Sequence, residues 1–160
     1  MDTWFNFLLA EVGASATLTG LIFVGVSINL SKILAEPQLP NRAFEALFLL
    51  LDVLLVCSLL LVPGQSLALA GIELLVLQLL VWYVVVRLDI SSWRKTEPQY
   101  RGNYQQMILV NQVDMLLYVL AAGFLLFNGI AGLYWLVPAV LLSFVKALID
   151  AWVLLVEINR

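Results

Sequence analysis

Ser143-Phe144-Val145-Lys146-Ala147-Leu148-Ile149-Asp150 lies deep inside the last long apolar run of the chain, which covers about residues 131–158. Every other Lys or Arg sits at or near the end of an apolar segment. Lys146 alone is well inside one, with Asp150 one helical turn further on. A run of this length can cross the ~30 Å hydrocarbon core of a bilayer as a helix. A cation and a carboxylate at i,i+4 are costly in lipid, and such residues face a protein interior or a wet cavity. The stretch therefore predicts a membrane-spanning helix with a polar stripe turned inward.

Four further segments precede it, at about residues 4–34, 42–62, 67–88 and 105–127. Each is near or above the ~20 apolar residues that a spanning helix needs. Pro37 and Pro40 break the chain between the first two, and Pro63-Gly64-Gln65-Ser66 and Asn128-Gly129 mark tight turns. Asp89 to Tyr104 is the longest polar stretch and reads as a loop. Of the 160 residues, 63% are hydrophobic and 12% charged, with a mean hydropathy of +1.02. A soluble domain is nearer half apolar and a quarter charged, so the composition belongs to a bilayer protein. Met1-Asp2-Thr3-Trp4 lacks the basic start of a signal peptide, and the apolar pattern runs past a 7–15-residue signal core, so a retained helix is expected. Its length implies tilt or protrusion.

The expected fold class is thus all-α: a single domain, residues 1–160, forming a polytopic bundle of five transmembrane helices. Lys32, Arg42, Arg87, Arg94, Lys95, Arg101 and Arg160 gather on one side, and the opposite turns and the N-terminus have no Lys or Arg. The positive-inside rule then places the N-terminus outside and the C-terminus in the cytoplasm. Trp4, Tyr134 and Trp135 fall at the outer interface, with Trp82, Tyr83, Trp93, Tyr104 and Trp152 near the inner one, as aromatic belts. Segments two–three and four–five have the same in–out–in course, and Asp52-Val53-Leu54-Leu55 echoes Asp114-Met115-Leu116-Leu117. Either a parallel repeat or chance similarity of apolar helices accounts for this.

Candidate functional residues follow from helical spacing. In segment five, Ala139, Ser143, Lys146, Asp150, Val153 and Glu157 share one stripe. Segment four offers Asn111, Asp114 and Tyr118, and segment two aligns Glu45 with Asp52. By depth, Asp52 and Asp114 can both reach Lys146 if the faces converge. The expected site is an intramembrane network of Lys146, Asp150, Asp52 and Asp114, with Asn111 and Tyr118 supplying hydrogen bonds. One cation for three carboxylates leaves unpaired charge if all ionise, which points to a bound proton, water or cation. The same charges could equally clamp the helices in one arrangement. Glu11 and Glu73 lie in the outer third and form either an outer acidic spot or solvated helix ends.

Segment one is different. Glu11-Val12-Gly13-Ala14-Ser15-Ala16-Thr17-Leu18-Thr19-Gly20 is rich in small residues, and Gly13, Gly20 and Ser27 recur every seven. Such a helix lets another backbone approach closely, so it belongs at the bundle centre or at an oligomer interface.

Other chemistries find no support. There is no His, hence no imidazole ligand or base, and the single Cys57 has no partner in the chain. No Ser/His or Cys/His pair, no phosphate-binding glycine loop and no CxxC motif occurs. Asp52 and Asp114 could in principle form an intramembrane aspartyl dyad, but Lys146 is an odd neighbour for one. No enzyme activity, cofactor or metal is expected, and a net charge of −3 without a basic run gives no nucleic-acid surface.

The run from Glu11 through Val24, continuing to Ser27-Ile28-Asn29-Leu30, together with Leu61-Val62-Pro63-Gly64-Gln65-Ser66, resembles a family of small, uncharacterised bacterial membrane proteins. Members are sometimes labelled modulators of the membrane-bound FtsH protease. The resemblance covers roughly the first half of the chain and supplies no functional residues. It implies the bacterial cytoplasmic membrane. Two functional classes are open: an oligomeric channel or transporter for protons or small cations using the Lys/Asp cluster, or a non-conducting module that binds and regulates another membrane protein. Expected partners are the lipid bilayer, further copies of the chain, and in the second class that membrane protein.

Overall fold

The computed structural model describes residues 2–37, 39–95 and 101–156. They form α1 (Asp2–Ile28), α2 (Leu30–Ala35), α3 (Leu39–Leu60), α4 (Leu67–Lys95), α5 (Arg101–Asn128) and α6 (Ala131–Leu155), with no strand among the described residues. All but the short α2 are long and apolar enough to cross a membrane. Helices are the form expected of chain in lipid, because each satisfies its own backbone groups.

The breaks have local causes. The first apolar segment is not one helix: it stops at Asn29, whose Nδ2 donates to the Gly25 carbonyl at 3.0 Å. Such a side-chain bond competes with continuation of the backbone ladder. α2 ends at Glu36, extended at φ −108°, ψ 122° because the following Pro37 excludes the α region. Gly64 and Gly129 take φ of +74° and +62° in the two hairpin turns, a conformation that side chains disfavour. The Ser66 hydroxyl accepts from the Leu69 N–H at 3.3 Å and caps α4.

α4 packs on α5, α5 on α6 and α6 on α3, while a lighter α3–α4 contact closes a four-helix bundle. α1 lies along α3 and touches α6. It is peripheral, so of the two expected positions the bundle centre is corrected. α1 turns Leu8, Ser15, Ile22 and then Ile33 of α2 inward, while Gly13 and Gly20 face open space. The close approaches use other small residues. A Cβ on Gly132 would collide with the Leu125 nitrogen, and one on Gly71 would stand 2.9 Å from the Leu126 nitrogen. These two glycines let α6 and α4 pack directly against the α5 backbone.

The outside is as apolar as the core, and a cluster of polar and charged groups lies inside among the buried apolar residues. Leu21, Phe23, Leu80, Leu109 and Phe127 are all more than 60% exposed, whereas Glu45, Asp52, Gln78, Asp89, Asn111, Asp114, Lys146 and Asp150 are buried. An apolar jacket of this extent around buried charges is the kind of surface that a lipid environment requires. The chain is therefore a multi-pass, all-helical membrane protein by length and composition.

Candidate functional site

The polar interior has two layers, and each side chain reaches it from a helical stripe. On α6, Ser143, Lys146 and Asp150 are buried at three- and four-residue steps, as their spacing predicts. On α3 the inward groups are Glu45 and Asp52. On α4 they are Gln78, Asp89 and Ser92, and on α5 Asn111, Asp114 and Tyr118.

The first layer lies towards the end of the bundle that carries Arg42, Arg94 and Arg101. Lys146 Nζ donates to Asp150 Oδ2 at 2.5 Å and to Glu45 Oε1 at 3.0 Å. Arg42 Nε donates to Asp150 Oδ1 at 2.7 Å. Asn111 Nδ2 donates to Glu45 Oε1 and, at 3.0 Å, to Asp89 Oδ1. Gln112 Nε2 donates to Asp89 Oδ2 at 3.1 Å, and Trp82 Nε1 donates to Gln112 Oε1 at 2.7 Å. A continuous hydrogen-bonded chain therefore joins all four bundle helices, from Arg42 to Trp82. Each cation here has a carboxylate partner, so this layer is an interior ion-pair network.

The second layer is one to two turns nearer the middle. Gln78 Nε2 donates to both oxygens of Asp52, at 2.9 and 3.1 Å. Ser143 Oγ donates to Asp114 Oδ2 at 2.7 Å. With its one proton used there, Ser143 accepts from the Tyr118 hydroxyl at 3.0 Å. No hydrogen bond links the Asp52–Gln78 pair to the Asp114–Ser143–Tyr118 group among the described residues; Asp52 lies within charge–charge range of Asp114. Neither carboxyl is bonded to a Lys or Arg among the described residues. Asp114 Oδ1 and Gln78 Oε1 are buried without any hydrogen-bond partner, as is Asn111 Oδ1 in the first layer. Orphan buried acceptors are costly and mark unfilled binding capacity.

The expected network is therefore divided. Lys146, Asp150 and Asn111 belong to the first layer, and Asp52, Asp114 and Tyr118 to the second. Depth alone made Asp52 and Asp114 direct partners of Lys146, and this is corrected: a shorter reach takes the ammonium to Glu45. No hydrogen bond joins the two residues of the expected outer acidic spot among the described residues. Glu73 is exposed and accepts from Gln65 Nε2, while Glu11 sits on α1 within electrostatic reach of Cys57. Glu157 lies outside the described residues.

Gln78, Trp82, Asp89, Gln112 and Arg42 were missed by sequence reasoning. Asp89 was placed in a polar loop after residue 88, but α4 continues to Lys95 and turns it inward. Its partners Asn111 and Gln112 make a helical position tolerable. The signal was present: Gln78, Trp82, Val85, Asp89 and Ser92 follow 4-3-4-3 spacing. Trp82, read from the sequence only as an interfacial aromatic, turns its indole N–H to Gln112.

Towards the opposite end, Val56, Cys57, Leu74, Leu125 and Leu136, each at most 1% exposed, close the interior. Beyond them a cavity of about 440 Å³ opens among Trp4, Leu8, Leu60, Gln65, Ala70 and Leu133.

No family model, no curated protein and no solved structure matches the chain. The site's chemistry rests on its donors. Asp52, Asp114, Gln78, Ser143 and Tyr118 present oxygens that suit a proton or a hard cation, and they include no soft ligand. No group of three or more His, Cys, Asp or Glu residues arranged for a metal ion occurs among the described residues.

Proposed function

We propose that the protein is a membrane-embedded channel or transporter for protons or small monovalent cations, with the Asp52–Gln78–Asp114–Ser143–Tyr118 layer as its binding site. The observation that carries this reading is the contrast between the layers. Lys146 and Arg42 are consumed by Glu45 and Asp150. Asp52 and Asp114, fully buried, have only neutral donors among the described residues. A purely structural clamp gains nothing from two carboxyls without a cation, whereas a site that binds and releases one needs that vacancy in charge.

The positive-inside rule puts the Arg42–Lys146 layer on the cytoplasmic side, and the cavity above Leu74 and Leu136 on the other. In this arrangement the first layer fixes the helices and holds the ammonium near the site. The apolar plug of Val56, Cys57, Leu74, Leu125 and Leu136 separates the site from the outer cavity. The resemblance to small bacterial membrane proteins suggests the bacterial cytoplasmic membrane. Purified protein in liposomes, with an internal pH dye and imposed H⁺, Na⁺ or K⁺ gradients, tests the proposal. Protein-dependent flux of one of these ions supports it, and none at any pH or potential removes it.

A second reading has its own observation. The outward face of α1 carries Gly13 and Gly20 with no neighbour within 4 Å among the described residues, and Thr17 and Ser27 return their hydroxyls to their own helix at 2.8 Å. Such a face suits close contact with another membrane helix, in a second copy or in a protein that this one regulates.

A further inference from the structure

The end of the bundle that carries the arginines holds a groove of about 300 Å³ between α4 and α5. Val86, Ile90 and Trp93 line it from α4 at three- and four-residue steps, and Ile108 lines it from α5. From Val86 to Trp93 is two helical turns, about 10 Å, enough for the upper part of an acyl chain. Arg94 also lines the groove, and Trp93 brings Arg101 to it: the Arg101 Cζ stands 5.6 Å from the centre of the indole ring, which meets Tyr104 on α5 at 6.2 Å. Both arginines are exposed, and neither has an ion-pair partner among the described residues. Arg42, by contrast, is held by Asp150. The acid in the lining, Asp89, is 4% exposed and gives one oxygen to Asn111 and the other to Gln112. The groove therefore offers free positive charge beside apolar walls.

We propose that this groove binds an anionic phospholipid, with the phosphate on Arg94 and Arg101 and one acyl chain laid over Val86, Ile90 and Ile108. Guanidinium groups suit phosphate oxygens, which they meet with two parallel N–H donors. An anionic headgroup brings no cation of its own for the arginines to repel, which selects it over a zwitterionic one. Free phosphate would use the arginines and gain nothing from the apolar walls, so the lipid is the occupant that both parts of the groove fit. The positive-inside rule puts the groove in the cytoplasmic leaflet, where anionic headgroups give the surface its negative potential. The groove stands apart from the Asp52–Asp114 layer, and lipid binding and ion flux are separate properties.

The test titrates delipidated full-length protein in detergent with phosphatidylglycerol or with phosphatidylcholine of the same acyl chains, read by native mass spectrometry. Wild type should hold phosphatidylglycerol at least tenfold more tightly, and Arg94→Gln with Arg101→Gln should abolish that preference. Ile90→Trp fills the groove from an exposed wall position, keeps both arginines, and should weaken phosphatidylglycerol binding at least fivefold. Ile108→Trp takes its place should that variant lose the wild-type chromatographic profile. Arg87→Gln removes a charge that lies over Tyr83, outside the groove, and should leave binding unchanged. Equal affinity of wild type for the two lipids overturns the inference, and so does an unchanged preference in the double arginine variant. Wild-type binding in the groove-filling variant, or a loss in Arg87→Gln as large as in the double variant, would mean a diffuse basic surface and overturns it too. Displacement of the lipid by an equal concentration of inorganic phosphate would make the arginines a free-anion site, which also overturns it.

Discussion

Lys146 reaches across the α6–α3 interface to Glu45 at 3.0 Å, and this contact, with Asp150 one turn along α6, satisfies the buried ammonium. Asp150 is shared, since Arg42 holds its second oxygen. The compensating partner of Lys146 is therefore Glu45, because removing Asp150 would strand Arg42 as well. Lys146→Met should lower stability by about 3 kcal/mol, the cost of leaving a buried charge without its partner. Lys146→Met with Glu45→Gln should recover at least half of it. Thermal unfolding in detergent checks both, and equal midpoints for wild type and both variants would mean the pair has no energetic role.

Neutralising the carboxyls separates the two layers. Asp52→Asn and Asp114→Asn keep shape and remove a charge that lacks a bonded cation, so these variants should be at least as stable as wild type. Asp150→Asn leaves Arg42 and Lys146 facing a neutral amide and should be destabilised by a few kcal/mol, on the order of other broken buried pairs. Midpoints in the reverse order would reassign which carboxyls are paired.

Glycine position matters on α6 and not on the outer face of α1. Gly132→Ala puts a Cβ into the α5 backbone and should destabilise by roughly 1–3 kcal/mol. Gly13→Ala and Gly20→Ala meet nothing within 4 Å, so the monomer should tolerate both. Any effect of those two on the mass of the detergent complex would report a partner on that face.

Cys57 is fully buried and is the only thiol in the chain. A maleimide should fail to label it in folded protein and label it on unfolding in denaturant. Lys146→Met should label faster than wild type at the same temperature. Rapid labelling of native wild-type protein would contradict the packing between α3 and its neighbours.

Much of this was legible in the sequence because lipid imposes simple rules. Five apolar runs, their breaks at Pro37, Pro63-Gly64 and Asn128-Gly129, and the Ser143–Lys146–Asp150 stripe follow from length and period alone. Partner choice was not legible. Depth placed Asp52 and Asp114 near Lys146, but the lateral order of helices, with α6 between α3 and α5, decides that Glu45 is nearer. Asp89 was misread because a carboxylate beside Arg94 and Lys95 resembles a loop until Asn111 and Gln112 are known to face it. The small residues of α1 read as a close-packing seam, but the bundle's close approaches are made by Gly71 and Gly132, while Gly13 and Gly20 meet nothing within 4 Å.

The central claim is that Asp52 and Asp114 form the ion-handling site. Proton and cation flux through liposomes containing wild type or the Asp52→Asn/Asp114→Asn double variant, matched for protein content and for chromatographic profile, tests it most directly. The expected result is wild-type flux and at least a tenfold loss in the double variant. Equal flux in the two proteins would contradict the account.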